Sequence, residues 1–470
     1  MGNPVEWKGH VVYTNLEELK GFPERTGAHR DPVPNHGMWP EKRRRETAFE
    51  DREPAVVVIG GGQSGLEVSA RLKLLGVPTL IVEKQPRIGN QWRGRYEALC
   101  LHDPVWYDHM PYIPFPPSWP MWTPAPKLAD WLESYAKFLE LDIWLSATVD
   151  KIERLSESGS KGWRVTITRA DGTTRRVTPR HIVFAHGFGG GVPNMPAIPG
   201  MDEFGGKIIH SSQHKSARDH VGKKVVVVGA CTSGKSYFYL YFTRKKFTLA
   251  FLRTRPRSRP LPAWSSSTYI MSTKNGMPRL FKGFFWEGAP PTEVADRIWA
   301  SYPNNVLRLM HQRVTRDIAE DDKELLAALK KRGFRVDFGT DGSGFLMKAY
   351  ERGGGYYLDV GASKLIADGK IKLKNDSGIS RFSKDAIGKR RVLFYNILVA
   401  QLAGEDVAAQ VNTVWGLNEE GEVNTAWRWS GVPGLYFMMG NLAMCRYHSK
   451  HLALWAQTEY NINVQLLIPE

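Results

Sequence analysis

Apolar and polar residues are grouped into blocks from Ala55 onward, and these blocks predict a strand, a turn, a helix and a second strand. The apolar run 55–59 has the length of a buried strand, and a glycine-rich turn follows it. A helical pattern then extends from Leu66 to Leu75 and stops at Gly76, and a second apolar run occupies 78–82. We therefore predict a β-α-β unit at this position.

The same order of blocks returns about 170 residues later. An apolar run covers 225–228, a turn of small residues covers 229–234, and a strand is predicted from Phe247 to Leu252. Two such units predict an α/β fold with two Rossmann-like dinucleotide-binding domains. A protein that holds two dinucleotides usually moves electrons between them.

The first turn carries the pattern G-x-G-x-x-G at Gly60, Gly62 and Gly65. The first glycine permits a tight turn, the second lets the backbone approach a pyrophosphate, and the third lets helix and strand pack closely. Glu83 closes the next strand, where its carboxylate can accept hydrogen bonds from a ribose diol and would repel a 2′-phosphate. This site suits FAD or NAD rather than NADP. A tight turn in another kind of α/β domain is the alternative.

The second turn departs from the pattern, because Cys231 stands where the middle glycine is usual. The strand after it ends in Arg253, which can pair with a 2′-phosphate, and no acid is present there to repel one. This site therefore favours NADP(H). The helix predicted between the second turn and this strand has an aromatic stretch, 237–242, without a polar face. The alternative to a nucleotide site is therefore a basic loop on a degenerate domain.

Charge supports a phosphate-bearing ligand at the second turn. The chain has 470 residues and a formal net charge of +16. Eight basic residues and no acid lie between Lys235 and Trp264. Because this charge lies beside a nucleotide motif, a pyrophosphate or a 2′-phosphate is a more economical partner than a nucleic acid. A nonspecific basic patch remains the alternative.

Cysteine content and hydropathy exclude several other classes. Cys100, Cys231 and Cys445 are far apart and form no C-x-x-C pair, which argues against a disulfide framework, a zinc site and the redox dithiol of disulfide reductases. No apolar run reaches the roughly 18 residues that a membrane span needs. We expect a cytoplasmic protein without a lipid anchor.

Further motifs accompany the two turns: GNQWR at 89–93, LHDP at 101–104 and FGGKIIH at 204–210. With these motifs the chain resembles the flavin-containing monooxygenases over nearly its whole length. The resemblance is greatest to a fungal branch related to plant indole-pyruvate monooxygenases. The F-x-G-x-x-x-H string, which contains Phe204, Gly206 and His210, is the most diagnostic piece.

The resemblance implies a monooxygenase that uses FAD, NADPH and O₂ to oxygenate a small organic molecule. NADPH would reduce FAD, and the reduced flavin would capture oxygen as a C4a-hydroperoxide that gives one oxygen atom to the substrate and one to water. His210 would link the domains rather than act as a base. By the family pattern, the FAD ligands would be Gly60, Gly62, Gln63, Ser64, Gly65, Glu83, Gln91 and Trp92, and the NADPH ligands would be Gly229, Ser233, Gly234 and Arg253.

Three departures from the family pattern bear on activity. The segment 185–187 reads Ala-His-Gly where the family usually has Ala-Thr-Gly, and residues 254–264 form an insertion after Arg253. Residues 389–403 replace a strand and a helix that normally return the chain to the flavin domain. Two other functions therefore stay open, an NADPH-oxidising flavoprotein without oxygenation and a catalytically silent FAD-binding paralogue.

The domain organisation follows from these motifs. Residues 1–53 are polar and rich in proline and charge, which predicts an extended arm rather than a packed domain. We predict an FAD-binding domain from 54–200 and 400–470, with an NADPH-binding domain from 215–385 inserted between its two parts.

Overall fold

The computed structural model describes residues 12–155, 162–187, 195, 198–228, 248–252, 267–268, 275–354, 356–357, 359–374 and 397–461. Its main sheet is parallel and has the strand order β13-β7-β1-β2-β3. These strands are β1 (Val56–Ile59), β2 (Thr79–Glu83), β3 (Ile143–Leu145), β7 (His181–Phe184) and β13 (Leu435–Phe437). Helix α2 (Gln63–Leu74) connects β1 to β2, as the sequence predicts. The observed helix begins three residues earlier than predicted, at the turn itself.

A second parallel sheet has the order β12-β9-β8 and consists of β8 (Lys224–Val228), β9 (Thr248–Leu252) and β12 (Lys372–Lys374). It lies in sequence between β7 and β13, which are neighbours in the main sheet. The predicted α/β fold with one nucleotide-binding unit inserted into the other is therefore confirmed. The turn 229–234 and Arg253 lie outside the described residues.

Smaller sheets and the helices complete the fold. An antiparallel sheet contains β4 (Thr148–Arg154), β5 (Trp163–Thr168) and β6 (Thr174–Val177), and β10 (Ser267–Thr268) pairs with β11 (Val336–Asp337). The remaining helices are α1 (Trp39–Ala48), α3 (Asn90–Arg93), α4 (Ala125–Phe138), α5 (Gly276–Phe281), α6 (Thr292–Ala300), α7 (Asn304–Asp321), α8 (Lys323–Lys331), α9 (Gly344–Arg352), α10 (Ala362–Ala367), α11 (Ile397–Ala403), α12 (Glu405–Gln410) and α13 (Leu442–Asn461).

Buried apolar residues form two principal cores that follow this division. The first core joins residues from 49–185 to residues from 399–456. The second lies almost entirely within 217–371 and receives Tyr96 from the first part of the chain. Each core is large enough to support its own set of elements. The domain boundaries given above stay predictions.

The arm is not extended throughout, because α1 forms within it. Tertiary contacts hold this short helix against the start of β3. The Arg43 guanidinium donates to Asp142 at 2.6 Å, the Trp39 indole donates to the Glu140 carboxylate at 2.6 Å, and the Trp144 indole donates to the Thr47 carbonyl at 2.8 Å. Packing rather than local sequence preference stabilises most short helices, which is why composition alone missed this one.

The return of the chain to the main sheet runs through α11, α12, β13 and α13. Residues 375–396, which include most of the atypical segment, lie outside the described residues. Helix α11 packs against β4, and β13 pairs with β7. Helix α13 packs along α2, so the C-terminal part of the chain covers the helix that follows the first glycine turn.

Two buried histidines make stability depend on pH. His181 and His311 are 1% and 4% exposed, and burial lowers the pKa of each to about 4. An ordinary histidine has a pKa of about 6.5, so the unfolded chain binds more protons than the folded chain as the pH falls from 6.5 towards 4. The stabilisation is complete above pH 6.5 and decreases below it.

We predict that each of these histidines lowers the free energy of unfolding as the pH falls from 7 to 5, by up to about 1.4 kcal/mol per pH unit. Urea unfolding at a series of pH values measures this slope. His311→Leu should reduce the slope, whereas replacement of the exposed His36 by Leu should not. An unchanged slope in the His311 variant would contradict the assignment.

Candidate functional site

The first glycine turn is held by close backbone contacts that exclude side chains. Gly60 has φ +112°, and a Cβ there would lie 2.6 Å from the Ala185 carbonyl oxygen. A Cβ on Gly65 would lie 2.0 Å from the Gly60 carbonyl oxygen. Both positions therefore require glycine. The residue after β1, the first turn of α2 and the residue after β7 consequently meet at one point.

The N-terminus of α2 is open on the side of Gly62. This residue is the N-cap of α2, and no side chain caps the helix within the described part of the chain. A Cβ on Gly62 would have its nearest neighbour, Gln91 Nε2, at 3.4 Å. Free N–H groups and the positive end of the helix dipole favour an anion there. The space that a larger residue would fill fits a pyrophosphate.

Glu83 has a structural role that the sequence did not reveal. Its Oε2 accepts a hydrogen bond from the Gly61 N–H at 2.6 Å, and its Oε1 accepts one from the Gln85 N–H at 2.8 Å. The buried carboxylate thus ties the end of β2 to the glycine turn. Each oxygen retains a second acceptor position, which leaves the predicted ribose contact chemically feasible.

The other residues assigned to the first nucleotide lie around this turn. Gln63 and Ser64 are the first residues of α2, and Gln91 and Trp92 lie on α3. The Trp92 indole N–H is buried and has no hydrogen-bond partner among the described residues. An unpaired buried donor of this kind is consistent with a ligand acceptor nearby.

The residues assigned to the second nucleotide, Gly229, Ser233, Gly234 and Arg253, lie outside the described residues. The strands that lead to them are described, and β8 and β9 run parallel with Val228 opposite Leu252. Positions 229 and 253 thus directly follow paired residues at the carboxyl edge of this sheet, where α/β folds usually bind nucleotides.

The fingerprint segment has a local structural role. A Cβ on Gly206 would lie 2.5 Å from the Phe204 ring, which packs in a small cluster with Ile198. His210 Nδ1 accepts a hydrogen bond from the Ser212 N–H at 3.2 Å, and the His210 N–H donates to the Gln213 side chain at 2.7 Å. His210 therefore caps a short helical turn, and its expected role in linking the domains stays a prediction.

Sequence reasoning missed a buried polar cluster between α2 and α13. Ser64 Oγ lies 3.1 Å from Cys445 Sγ, next to the fully buried Glu67. Burial raises the pKa of Glu67 well above its ordinary value, although Arg446 and Arg71 oppose this effect. Burial also raises the pKa of the Cys445 thiol. The available sequence signal for this cluster was Glu67 itself, a glutamate within the apolar stretch of α2.

Arg446 joins the two cores. Its guanidinium donates to both carboxylate oxygens of Asp296 on α6, at 2.6 and 2.8 Å. The same group donates to the carbonyls of Tyr107 and His109 at 2.7 and 2.6 Å. Arg446 and Asp296 are 4% and about 10% exposed, so this is a buried and fully hydrogen-bonded ion pair.

A cavity of about 480 Å³ is lined in part by the first turns of α13. Ala443 and Met444 line it, and they directly precede Cys445, which contacts Ser64 of the turn. The Trp427 indole stacks on His448 in its wall, with ring centroids 3.9 Å apart. Residues 12–16 of the arm form another part of the wall. Further aromatic lining residues are Tyr107, Phe285, Trp299, Tyr302 and Tyr350.

Comparison with known families matches residues 53–240 to the flavin-binding monooxygenase-like family. Over these residues, which make up less than half of the chain, the protein is similar to that family. The matched segment contains the first glycine turn and the fingerprint. The more specific assignment to a fungal branch stays a prediction.

Two individual relatives that match the chain are also named as monooxygenases. The chain is 35% identical to the rice (japonica) indole-3-pyruvate monooxygenase YUCCA1 over 42% of its own length and 46% of that protein. It is 25% identical to the rice (indica) indole-3-pyruvate monooxygenase YUCCA8 over 81% of its length and 84% of that protein. The stronger match thus spans less than half of the relative.

A solved structure has the same fold. The cyclohexanone monooxygenase from Rhodococcus sp. Phi1, bound to NADP⁺, superimposes with a TM-score of 0.54 and 14% identity, covering 86% of this chain and 83% of that one. At this identity the likeness concerns the fold alone.

In the part of the chain that the structure describes, no helix has the length and apolar character of a bilayer span.

The two glycines of the turn should differ in their effect on stability. We predict that Gly65→Ala lowers the free energy of unfolding by about 3 kcal/mol or more, because the new Cβ meets a backbone oxygen that cannot move aside. Gly62→Ala should cost about 1 kcal/mol or less, since its backbone is in a region open to all residues. Urea unfolding compares them, and equal losses would contradict the observed packing.

Proposed function

We propose that this protein is an FAD-dependent monooxygenase that uses NADPH and O₂ to oxygenate a small organic molecule. In the overall reaction, NADPH, a proton, O₂ and the substrate give NADP⁺, water and the oxygenated product. The observation that carries the proposal is the open glycine turn with its buried Glu83, which lies inside the segment that matches the family. We also propose a cytoplasmic location, which the small number of cysteines supports.

The residues of the first turn fit FAD. Gly62 and the first N–H groups of α2 would bind the pyrophosphate, Glu83 would accept from the ribose, and Gln91 and Trp92 would flank the turn. When bound at this turn, FAD would supply the redox chemistry between NADPH and O₂. Arg253 would bind the 2′-phosphate of NADPH.

The chain itself contributes binding, orientation and the exclusion of water. The cavity beside Met444 is lined mainly by aromatic and apolar side chains, so it can accommodate an organic substrate. The Arg446–Asp296 pair fixes the loop that carries Tyr107 into this wall. A dry site matters because water and free protons favour release of hydrogen peroxide instead of product.

Each of the two other functions would lack one part of the monooxygenase, either the coupling to a substrate or the NADPH site. An NADPH-oxidising flavoprotein would keep both nucleotide sites and lose coupling to the substrate. A silent FAD-binding paralogue would lose the NADPH site, where the sequence is most atypical. The fold is common to all three functions, so chemistry must separate them.

Product analysis tests the proposal directly. The holoenzyme is incubated with NADPH and candidate substrates in ¹⁸O₂, while NADPH consumption, hydrogen peroxide and labelled product are measured together. We expect one labelled oxygen atom per product molecule and product formation that accounts for most of the NADPH consumed. NADPH consumption matched by peroxide alone would indicate the oxidase, and no NADPH consumption would indicate the silent paralogue.

Arg253 provides a test of cofactor choice. We predict that Arg253→Ala raises the KM for NADPH by about 10-fold or more, because a charge-assisted contact to the 2′-phosphate is lost. The KM for NADH, which lacks that phosphate, should change little. Arg257→Ala serves as the control for a general loss of positive charge in this basic segment. Equal losses for both cofactors would contradict the assigned contact.

A further inference from the structure

The charged Asp, Glu and Arg side chains in the described wall of the large cavity each have a partner of opposite charge. Among the described residues that line it, Arg428 is the sole Lys or Arg side chain, and it pairs with Glu422 at 2.5 Å. The other lining carboxylate, Asp296, pairs with Arg446. Arg446 does not itself line this cavity. Among its described residues, the lining therefore offers an incoming carboxylate no cation without an anionic partner.

The histidines of this wall do not add positive charge near neutral pH. Burial lowers the pKa of His448 well below its ordinary value and lowers that of His451 to about 4. His448 stacks on Trp427, and His451 Nε2 is 2.7 Å from the Asn15 side-chain oxygen. Both imidazoles are neutral at pH 7 and present aromatic faces or hydrogen bonds rather than charge.

Cations do lie nearby, but in a different cavity. A smaller space of about 280 Å³ is lined by Arg71, Arg297 and Lys450, among others. Residues Asn15, Asp296, Tyr447 and His451 line both spaces and separate them. Lys450 and Arg297 pair with Glu17, so these cations too have anionic partners.

This distribution of charge selects against acids. A carboxylate that enters an aromatic wall without a free cation loses its hydration and gains no ion pair in return. An uncharged planar molecule loses little on the same transfer and gains contact with Trp427, Trp299 and Tyr350. The cavity thus distinguishes two molecules of equal shape by charge.

We infer that this cavity binds uncharged aromatic molecules and rejects the corresponding carboxylates. The inference rests on the proposed function, in that it names the substrate class of the same site. It also separates this chain from relatives whose names specify indole-3-pyruvate, which is an anion at neutral pH.

A matched pair of ligands tests the inference. Indole-3-acetone has the shape of indole-3-pyruvate with a methyl group in place of the carboxylate. Equilibrium dialysis of the holoenzyme under nitrogen measures the Kd of each, and NADPH assays in air give kcat/KM. We expect indole-3-acetone to bind at least about tenfold more tightly and to be the better substrate.

Glu422→Gln shows whether charge in the wall causes the preference. The substitution leaves Arg428 without its anionic partner. The Kd of indole-3-pyruvate divided by that of indole-3-acetone should therefore decrease by about threefold or more. Glu420→Gln removes an exposed carboxylate that does not line the cavity, and it should leave the ratio unchanged.

Several results would overturn the inference. Equal or tighter binding of indole-3-pyruvate would do so, as would failure of both ligands to bind at millimolar concentration or an unchanged ratio in Glu422→Gln. Failure of the proposed function gives a different pattern, because the binding preference would persist while NADPH consumption yields only hydrogen peroxide or does not occur.

Discussion

The contact between the start of α2 and the end of β1 is the constraint on which the rest of the site depends. Gly65 lies so close to the Gly60 carbonyl that no side chain fits between them. This closeness directs the open N-terminus of α2 past Gly62, where the backbone can approach a phosphate. Glu83 then ties the turn to β2 through the Gly61 N–H. One local contact thus sets the position of the helix dipole, of the acidic residue and of the proposed nucleotide site.

The same helix connects the turn to the cavity. Helix α2 packs along α13, where Ser64 contacts Cys445 and the buried Glu67 lies in the field of Arg446. Arg446 reaches across to Asp296 in the second core and holds the loop of Tyr107. A buried ion pair is costly unless both of its members are hydrogen-bonded, so the Arg446–Asp296 pair constrains how α13 and α6 meet. The shape of the cavity follows from this arrangement.

The sequence predicted the features that depend on local geometry. Runs of apolar residues gave β1, β2, β8 and β9, and the spacing of Gly60, Gly62 and Gly65 gave the turn, because these features need particular residues at fixed intervals. Features that depend on tertiary contact were not predicted. Helix α1 is held by Asp142 and Glu140, about a hundred residues away, and the structural role of Glu83 depends on how the turn folds back. The pairing of Arg446 with Asp296 joins residues 150 positions apart, and no sequence motif predicts it.

The visible spectrum of the purified protein, before and after NADPH is added under nitrogen, tests the central claim most directly. The account predicts bound, oxidised flavin that loses its yellow absorbance when NADPH is added. Both results are needed, because the first reports the turn at Gly60 to Gly65 and the second reports a nucleotide site on the inserted sheet. A colourless protein that does not take up FAD would contradict the first assignment. Flavin that stays oxidised under NADPH would contradict the second and, with it, the monooxygenase reaction.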